Sequence, residues 1–193
     1  RSYRDEEEIY ALTDGSVGHL WEIQPVAYAG EQILAAVKRL LNMDMRANAQ
    51  LQFILYADPY IDDYLDSYQS LKVRNRKVVQ DNVASYVRFW RENSEGARQL
   101  RGIPLRNFRV FIALKSGNTL DPDVVASIKE SLAKFGVRSV PAEGPDGLLA
   151  ILRRLFSDMR VRKPGTCEDD RPLRKQILGG GDTYQFKGAC PKI

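Results

Sequence analysis

Apolar side chains along this chain alternate between two spacings, and each change of spacing marks a change of backbone element. Residues 9–12 and 17–23 are short apolar-rich runs on either side of Thr13, Asp14, Gly15 and Ser16. That pattern predicts two strands joined by a turn. In the second, Val17, His19, Trp21 and Ile23 share one face by period-two alternation. After Gly30 the spacing lengthens, and Ile33, Leu34, Val37, Leu40 and Leu41 recur at the helical period. Residues 51–57 return to alternation through Leu51, Phe53 and Leu55, and Asp58-Pro59 ends that strand.

Two helical stretches follow. Ile61, Tyr64, Leu65, Tyr68 and Leu71 form one apolar face. A longer helix over 75–93 carries Val79, Val83, Tyr86, Val87 and Trp90 as its stripe. Gly102 and Pro104 then precede the clearest strand, with Phe108, Val110, Ile112 and Leu114 on one face and Asn107, Arg109 and Phe111 on the other. Asp121-Pro122 opens another helix, Asp as N-cap and Pro at its first position. Its core face is Val124, Val125, Ile128, Leu132 and Phe135, and Gly136 stops it. A short strand at 137–140 and a helix from Pro145, with Leu148, Leu149, Leu152, Leu155 and Phe156 inward, complete the periodic part. Beyond Met159 the pattern fades into charge, Pro and Gly.

The order β-β-α-β-α-α-β-α-β-α contains two β-α-β units, residues 17–57 and 107–140, separated by a helical pair. Two such units side by side predict an α+β fold: a ferredoxin-like split β-α-β sheet with an inserted helical pair and an extra N-terminal strand. The expected division is an α/β domain over 1–159, with the helical insertion at about 60–101, followed by a linker or extension over 160–193.

Composition adds bounds. An apolar fraction of 44% and a charged fraction of 28% in 193 residues suit a globular domain with a real core. No apolar run approaches the ~20 residues of a membrane-spanning helix, and the charged start, residues 1–8, is unlike a signal peptide. Arg1 in place of Met leads to the expectation of an excised or processed piece. Cys167 and Cys190 stand outside any C-x-x-C or Cys/His cluster, so neither zinc nor a disulfide is signalled and a reducing, cytoplasmic setting is expected. The net charge of +4 is uneven. Residues 1–71 hold 5 basic and 12 acidic side chains (net −7), residues 72–109 hold 10 and 3 (net +7), and the rest hold 14 and 10 (net +4). Such asymmetry fits either an anionic partner or two parts of the chain that attract each other.

Candidate chemistry is sparse. His19, the only histidine, lies on a strand face with Val17 and Trp21, without the carboxylate or nucleophile a general base needs. The run Asp5-Glu6-Glu7-Glu8 reads as solvated rather than metal-binding. Tyr60, Tyr64 and Tyr68 fall four apart, a helical stripe suited to packing, to protein contact or to stacking on bases. Asp58, Asp62, Asp63 and Asp66 beside them would repel a phosphate backbone. Lys72, Arg74, Arg76, Lys77, Arg88, Arg91, Arg98 and Arg101 make the basic stretch. Asp81 and Glu95 interrupt its face, and Glu92 is spaced to pair with Arg88. A solvated or protein-facing surface is therefore favoured over a nucleic-acid site. Candidate contacts are Arg74, Arg76, Lys77, Arg88, Arg91, Tyr60 and Tyr64. Gly179-Gly180-Gly181 is not a phosphate loop, because no G-x-x-x-x-G-K-[ST] surrounds it and Asp182 follows. With no nucleotide machinery in these residues, an independent small enzyme is the weakest of the three readings.

The blocks at residues 14–25, 31–34, 51–55, 105–111 and 171–177, in that order, resemble the N-terminal region of the TraC-type conjugative-transfer ATPases of type IV secretion systems. In that family this region precedes a P-loop ATPase domain and docks the motor to inner-membrane components of the channel. The resemblance implies a docking and assembly domain, peripheral at the cytoplasmic face of the inner membrane, with no catalysis of its own. It implies partners among inner-membrane and channel proteins, and self-association. ATP and Mg are expected only in the missing ATPase domain. A nucleic-acid-binding module using residues 72–109 is the alternative.

Overall fold

A computed structural model describes residues 2–4, 8–26, 28–45, 48–72, 76–96, 98, 101–138, 144–156, 166–168, 171 and 173–177. The chain separates into two compact units, Arg1–Val140 and Pro141–Ile193. The division falls ahead of the helix that starts at Pro145, whereas the fade in periodicity lies behind it.

The first unit is α+β. Its strands are β1 (Ser2–Arg4), β2 (Ile9–Ala11), β3 (Val17–Ile23), β4 (Gln50–Asp58), β5 (Asn107–Ser116) and β6 (Val137–Arg138). Its helices are α1 (Glu31–Leu41), α2 (Asp62–Ser70), α3 (Lys77–Glu92) and α4 (Pro122–Ala133). Five strands lie in the order β1-β2-β3-β5-β4, and β6 pairs with β3 off that path. Every pairing is antiparallel.

One correction concerns the N-terminus. The single extra strand expected there is a pair, because the charged start contributes β1. Tyr3 faces Tyr10 across β1 and β2, with ring centroids 4.8 Å apart. Three residues are too few for alternation to announce a strand, and the cross-strand aromatic pair does the specifying.

The β3–β5 register puts Trp21 opposite Ile112 and His19 opposite Leu114, so one sheet face collects the alternating apolar residues of both strands. Leu40 of α1 and Ile128 and Leu132 of α4 close over that face with Trp21, Ile23, Ile112 and Leu114. Both ends of α4 are as predicted: Asp121 accepts from the Asp123 N–H, Pro122 opens the helix and Gly136 follows it at φ +67. His19 is 4% exposed and stacks on Trp21 at 5.1 Å, a core residue as its strand position predicts. The predicted strand residues beyond Arg138 lie outside the described residues.

In the second unit, α5 (Pro145–Phe156) buries Gly147, Leu149 and Ile151, and α6 (Leu173–Ile177) packs with it. Gln176 organises the contact. Its side-chain amide donates to the carbonyls of Glu168 and Arg171 and accepts from the Glu168 N–H, all within 2.8 Å. The Gln176 carbonyl in turn accepts from Arg153 of α5 at 2.8 Å. The Gly179-Gly180-Gly181 run and Cys190 lie outside the described residues.

Candidate interaction surface on the helical pair

The helical pair grows from the end of β4. Asp58 closes the strand and its Oδ1 accepts the Tyr60 N–H at 2.9 Å, turning the chain at Pro59. Asp62 and Asp63 then occupy the first turn of α2, where negative charge complements the helix dipole. Ile61, Leu65 and Val87 are the buried centre of a small separate core, with Tyr68, Val83, Trp90 and Leu105 packed around it. At the exit, Asn93 ends α3 by donating from its amide to the Phe89 carbonyl at 2.7 Å, and the Leu105 N–H returns to the Ser94 carbonyl at 2.9 Å.

Part of the positive charge in residues 72–109 is answered inside the molecule, at Arg109 and Arg91. Arg109, on the central strand β5, lies diagonally between Glu22 of β3 and Asp58 of β4. Its Nε and Nη2 each reach a Glu22 carboxylate oxygen at 2.8 Å, and Nη1 reaches Asp58 at 3.5 Å. All three side chains are at most 6% exposed. Burial pushes the Arg109 pKa down, but the hydrogen bonds and charges of Glu22, with those of Asp58, outweigh it and the net shift is upward. The same Asp58 thus ties the root of the helical pair to the sheet.

Arg91 is held likewise. Its Nε contacts Asp62 at 2.6 Å and its Nη2 contacts Asp66 at 2.9 Å, clamping α3 to α2. The Asp62 hydrogen bond is the main cause of its raised pKa. The pairs are solvent-exposed, so each contributes ~1 kcal/mol or less. The acids that argued against a phosphate-binding face are the partners of the predicted basic residue.

Arg76, Lys77 and Arg88 remain exposed, with no ion pair among the described residues. Arg74 lies outside the described residues. The expected Arg88–Glu92 pair does not form. The spacing instead brings both side chains to the rim of a groove of about 270 Å³, lined by Gln69, Ala84, Val87, Arg88, Arg91 and Glu92. Lys72 sits over the Tyr68 ring, 5.1 Å from its centroid.

The aromatic stripe also differs from its prediction. α2 begins at Asp62, so Tyr60 belongs to the preceding turn and only Tyr64 and Tyr68 share the helix. The aromatic surface is built across the helices: Tyr68 meets Tyr86 at 5.3 Å, Tyr86 meets Trp90 at 5.7 Å and Phe89 meets Trp90 at 5.2 Å. Tyr86 and Phe89 are 47% and 40% exposed, and Tyr64 and Val78 more so. The Trp90 Nε1–H is buried with no acceptor. Phe89 lies outside the helical stripe read from sequence, and that off-stripe position was the available signal for a surface role. The helical pair offers exposed apolar rings and unpaired cations, a composition suited to recognition rather than bond chemistry.

A family model described as "TraC protein" matches residues 1–189. Comparisons with curated proteins and with solved structures return no match. Among the described residues no helix is long and apolar enough to cross a membrane.

Proposed function

The chain belongs to the TraC family of conjugative type IV secretion, and from that membership we propose that it is an interaction and assembly domain. In this reading it docks a conjugation motor to inner-membrane and channel components and catalyses nothing itself. ATP and Mg act at a P-loop domain that the family carries elsewhere, and the domain works as a peripheral component at the cytoplasmic face of the inner membrane. We also take the scaffold as ferredoxin-like, because β6, β3, β5 and β4 lie side by side, all antiparallel, with α1 and α4 on one face.

The observation that carries the reading is the set of exposed aromatic side chains Tyr64, Tyr86 and Phe89 on α2 and α3, a pair that also exposes Lys77 and Arg88. Aromatic side chains with a polar rim resemble the anchors of protein interfaces. The test is capture of the membrane subunits of the same transfer system by the folded chain, compared with a Tyr86→Ala/Phe89→Ala variant. Loss of capture in the variant supports this surface. Absence of capture by a chain whose circular dichroism shows it folded sinks the proposal.

A nucleic-acid role would fall to Arg76, Lys77 and Arg88, since Arg91 and Arg109 are held by carboxylates. It predicts affinity falling steeply with salt and collapsing in Lys77→Glu/Arg88→Glu. Arg91 reversal is a poorer probe, because it also breaks the α2–α3 clamp. Unchanged affinity in the Lys77/Arg88 variant removes this reading.

A further inference from the structure

The two ends of the sheet are treated differently. At one end β1 is three residues long and ends in exposed Arg4, a short charged edge of the kind that discourages further pairing. At the other, β4 runs for nine residues and pairs with β5 in one unbroken register, with no bulge from Gln50↔Lys115 to Asp58↔Asn107. Among the described residues no strand lies on its outer side. Residues 50–57, Gln-Leu-Gln-Phe-Ile-Leu-Tyr-Ala, hold no charge, no Pro and no Gly. The strand itself carries none of the charges, prolines or bulges that guard an edge against a further strand.

The side chains point the same way. Phe53 and Leu55 belong to the sheet face that α1 and α4 cover, yet they are 51% and 70% exposed, and Phe108 beside them on β5 is 53% exposed. The helical layer stops short of the edge and leaves an apolar strip along it.

We propose that β4 is a self-pairing edge, on which a second copy of this chain adds its own β4 antiparallel to extend the sheet across a two-fold axis. The strand is its own complement. With the axis through Ile54, Phe53 faces the second copy's Leu55, Gln52 faces its Tyr56 and Leu51 faces its Ala57, so Leu51, Phe53, Leu55 and Ala57 of both copies stay on one face and no like charges oppose. An occupant must be uncharged along about eight residues and rich in strand-forming side chains. This chain carries such a segment at that position. Three half-exposed apolar side chains from each copy, at about 100 Å² each, supply roughly 600 Å² of contact. That is below the ~1,200 Å² at which stable interfaces begin, so the pairing is weak and rests on main-chain hydrogen bonds as well. The dimer therefore dissociates on dilution. The proposal concerns a different surface from the helical pair and holds or falls separately from docking there.

Sedimentation velocity of the 193-residue chain across a hundredfold concentration range tests it. A monomer–dimer equilibrium is expected, weakened at least tenfold by Leu55→Lys, which places a charge at an exposed edge position, and little changed by Leu55→Val. Hydrogen exchange of the unmodified chain reads the same strand without mutation: amides in residues 51–57 should gain protection as concentration rises. A monomer at every concentration overturns the proposal. So does a dimer whose affinity survives Leu55→Lys, or one formed without protection of β4.

Discussion

Replacing Arg109 with Met removes the charge at the centre of the sheet while keeping a long side chain. In the native protein, two 2.8 Å bonds join its guanidinium to Glu22, a third contact reaches Asp58, and Phe111 lies 4.9 Å below the cation. Without Arg109, two carboxylates at most 4% exposed face each other across β5 with no cation between them. Removing one partner of a buried ionic group costs about 3–5 kcal/mol, mostly because the remaining charge stays desolvated. For a protein of this size that corresponds to a fall in melting temperature on the order of 10 °C. Urea unfolding followed by tryptophan fluorescence measures it, since Trp21 is buried in the same unit. The Arg109→Met/Glu22→Met double variant should recover a substantial part of the loss, as apolar replacement of buried ion pairs often does. Because the Arg109 pKa is raised above the already very high value of a free guanidinium, its contribution is complete throughout the neutral and moderately alkaline range and is lost only beyond it. The wild-type guanidinium therefore adds no pH dependence between pH 5 and 9. A loss below 1 kcal/mol in Arg109→Met, or no recovery in the double variant, would refute the view that the network is buried and mutually compensating.

Three other expectations are sharp. Burial, then Tyr3 and Glu8, push the Tyr10 hydroxyl up to about 12. Stability linked to it is complete below pH 10 and falls as pH rises towards 12, and a Tyr10→Phe variant should lose that alkaline decline in thermal melts. Gly18→Ala should cost about 1–3 kcal/mol by overpacking, because a Cβ there would stand 2.7 Å from the Leu114 carbonyl oxygen. Gly117→Ala meets open space, and equal melting points for the two variants would contradict the strand spacing. The Lys115 hydrogen bond, followed by those of Ser16, holds the exposed Asp14 carboxyl well below the usual carboxylate range. Its contribution is present above pH 4 and fades as pH falls through the lowered value. Carbon-detected NMR should find Asp14 still ionised at pH 3, and a midpoint near 3.8 would show the turn contacts to be absent in solution.

Much of the first unit was legible from spacing alone. Period-two and helical runs located β3, α1, β4, α3, β5 and α4, and Asp121-Pro122 and Gly136 marked the ends of α4, because hydrophobic periodicity and capping are local properties. Family membership was legible in the order of the blocks. Long-range pairing decided the rest. Arg109 looks like one cation among ten until the register sets it between Glu22 and Asp58, 87 and 51 positions away in the chain. Arg91 likewise counts as a phosphate contact until α2 folds back and brings up Asp62 and Asp66. The ring surface needed both helices side by side, since Tyr68 and Tyr86 meet only across them. Phe53 and Leu55 read as core by alternation and lie exposed because β4 falls at the margin of the sheet. Alternation tells which side chains share a face. Whether another layer covers that face is a property of the assembled sheet, set by strand order, which no local spacing encodes.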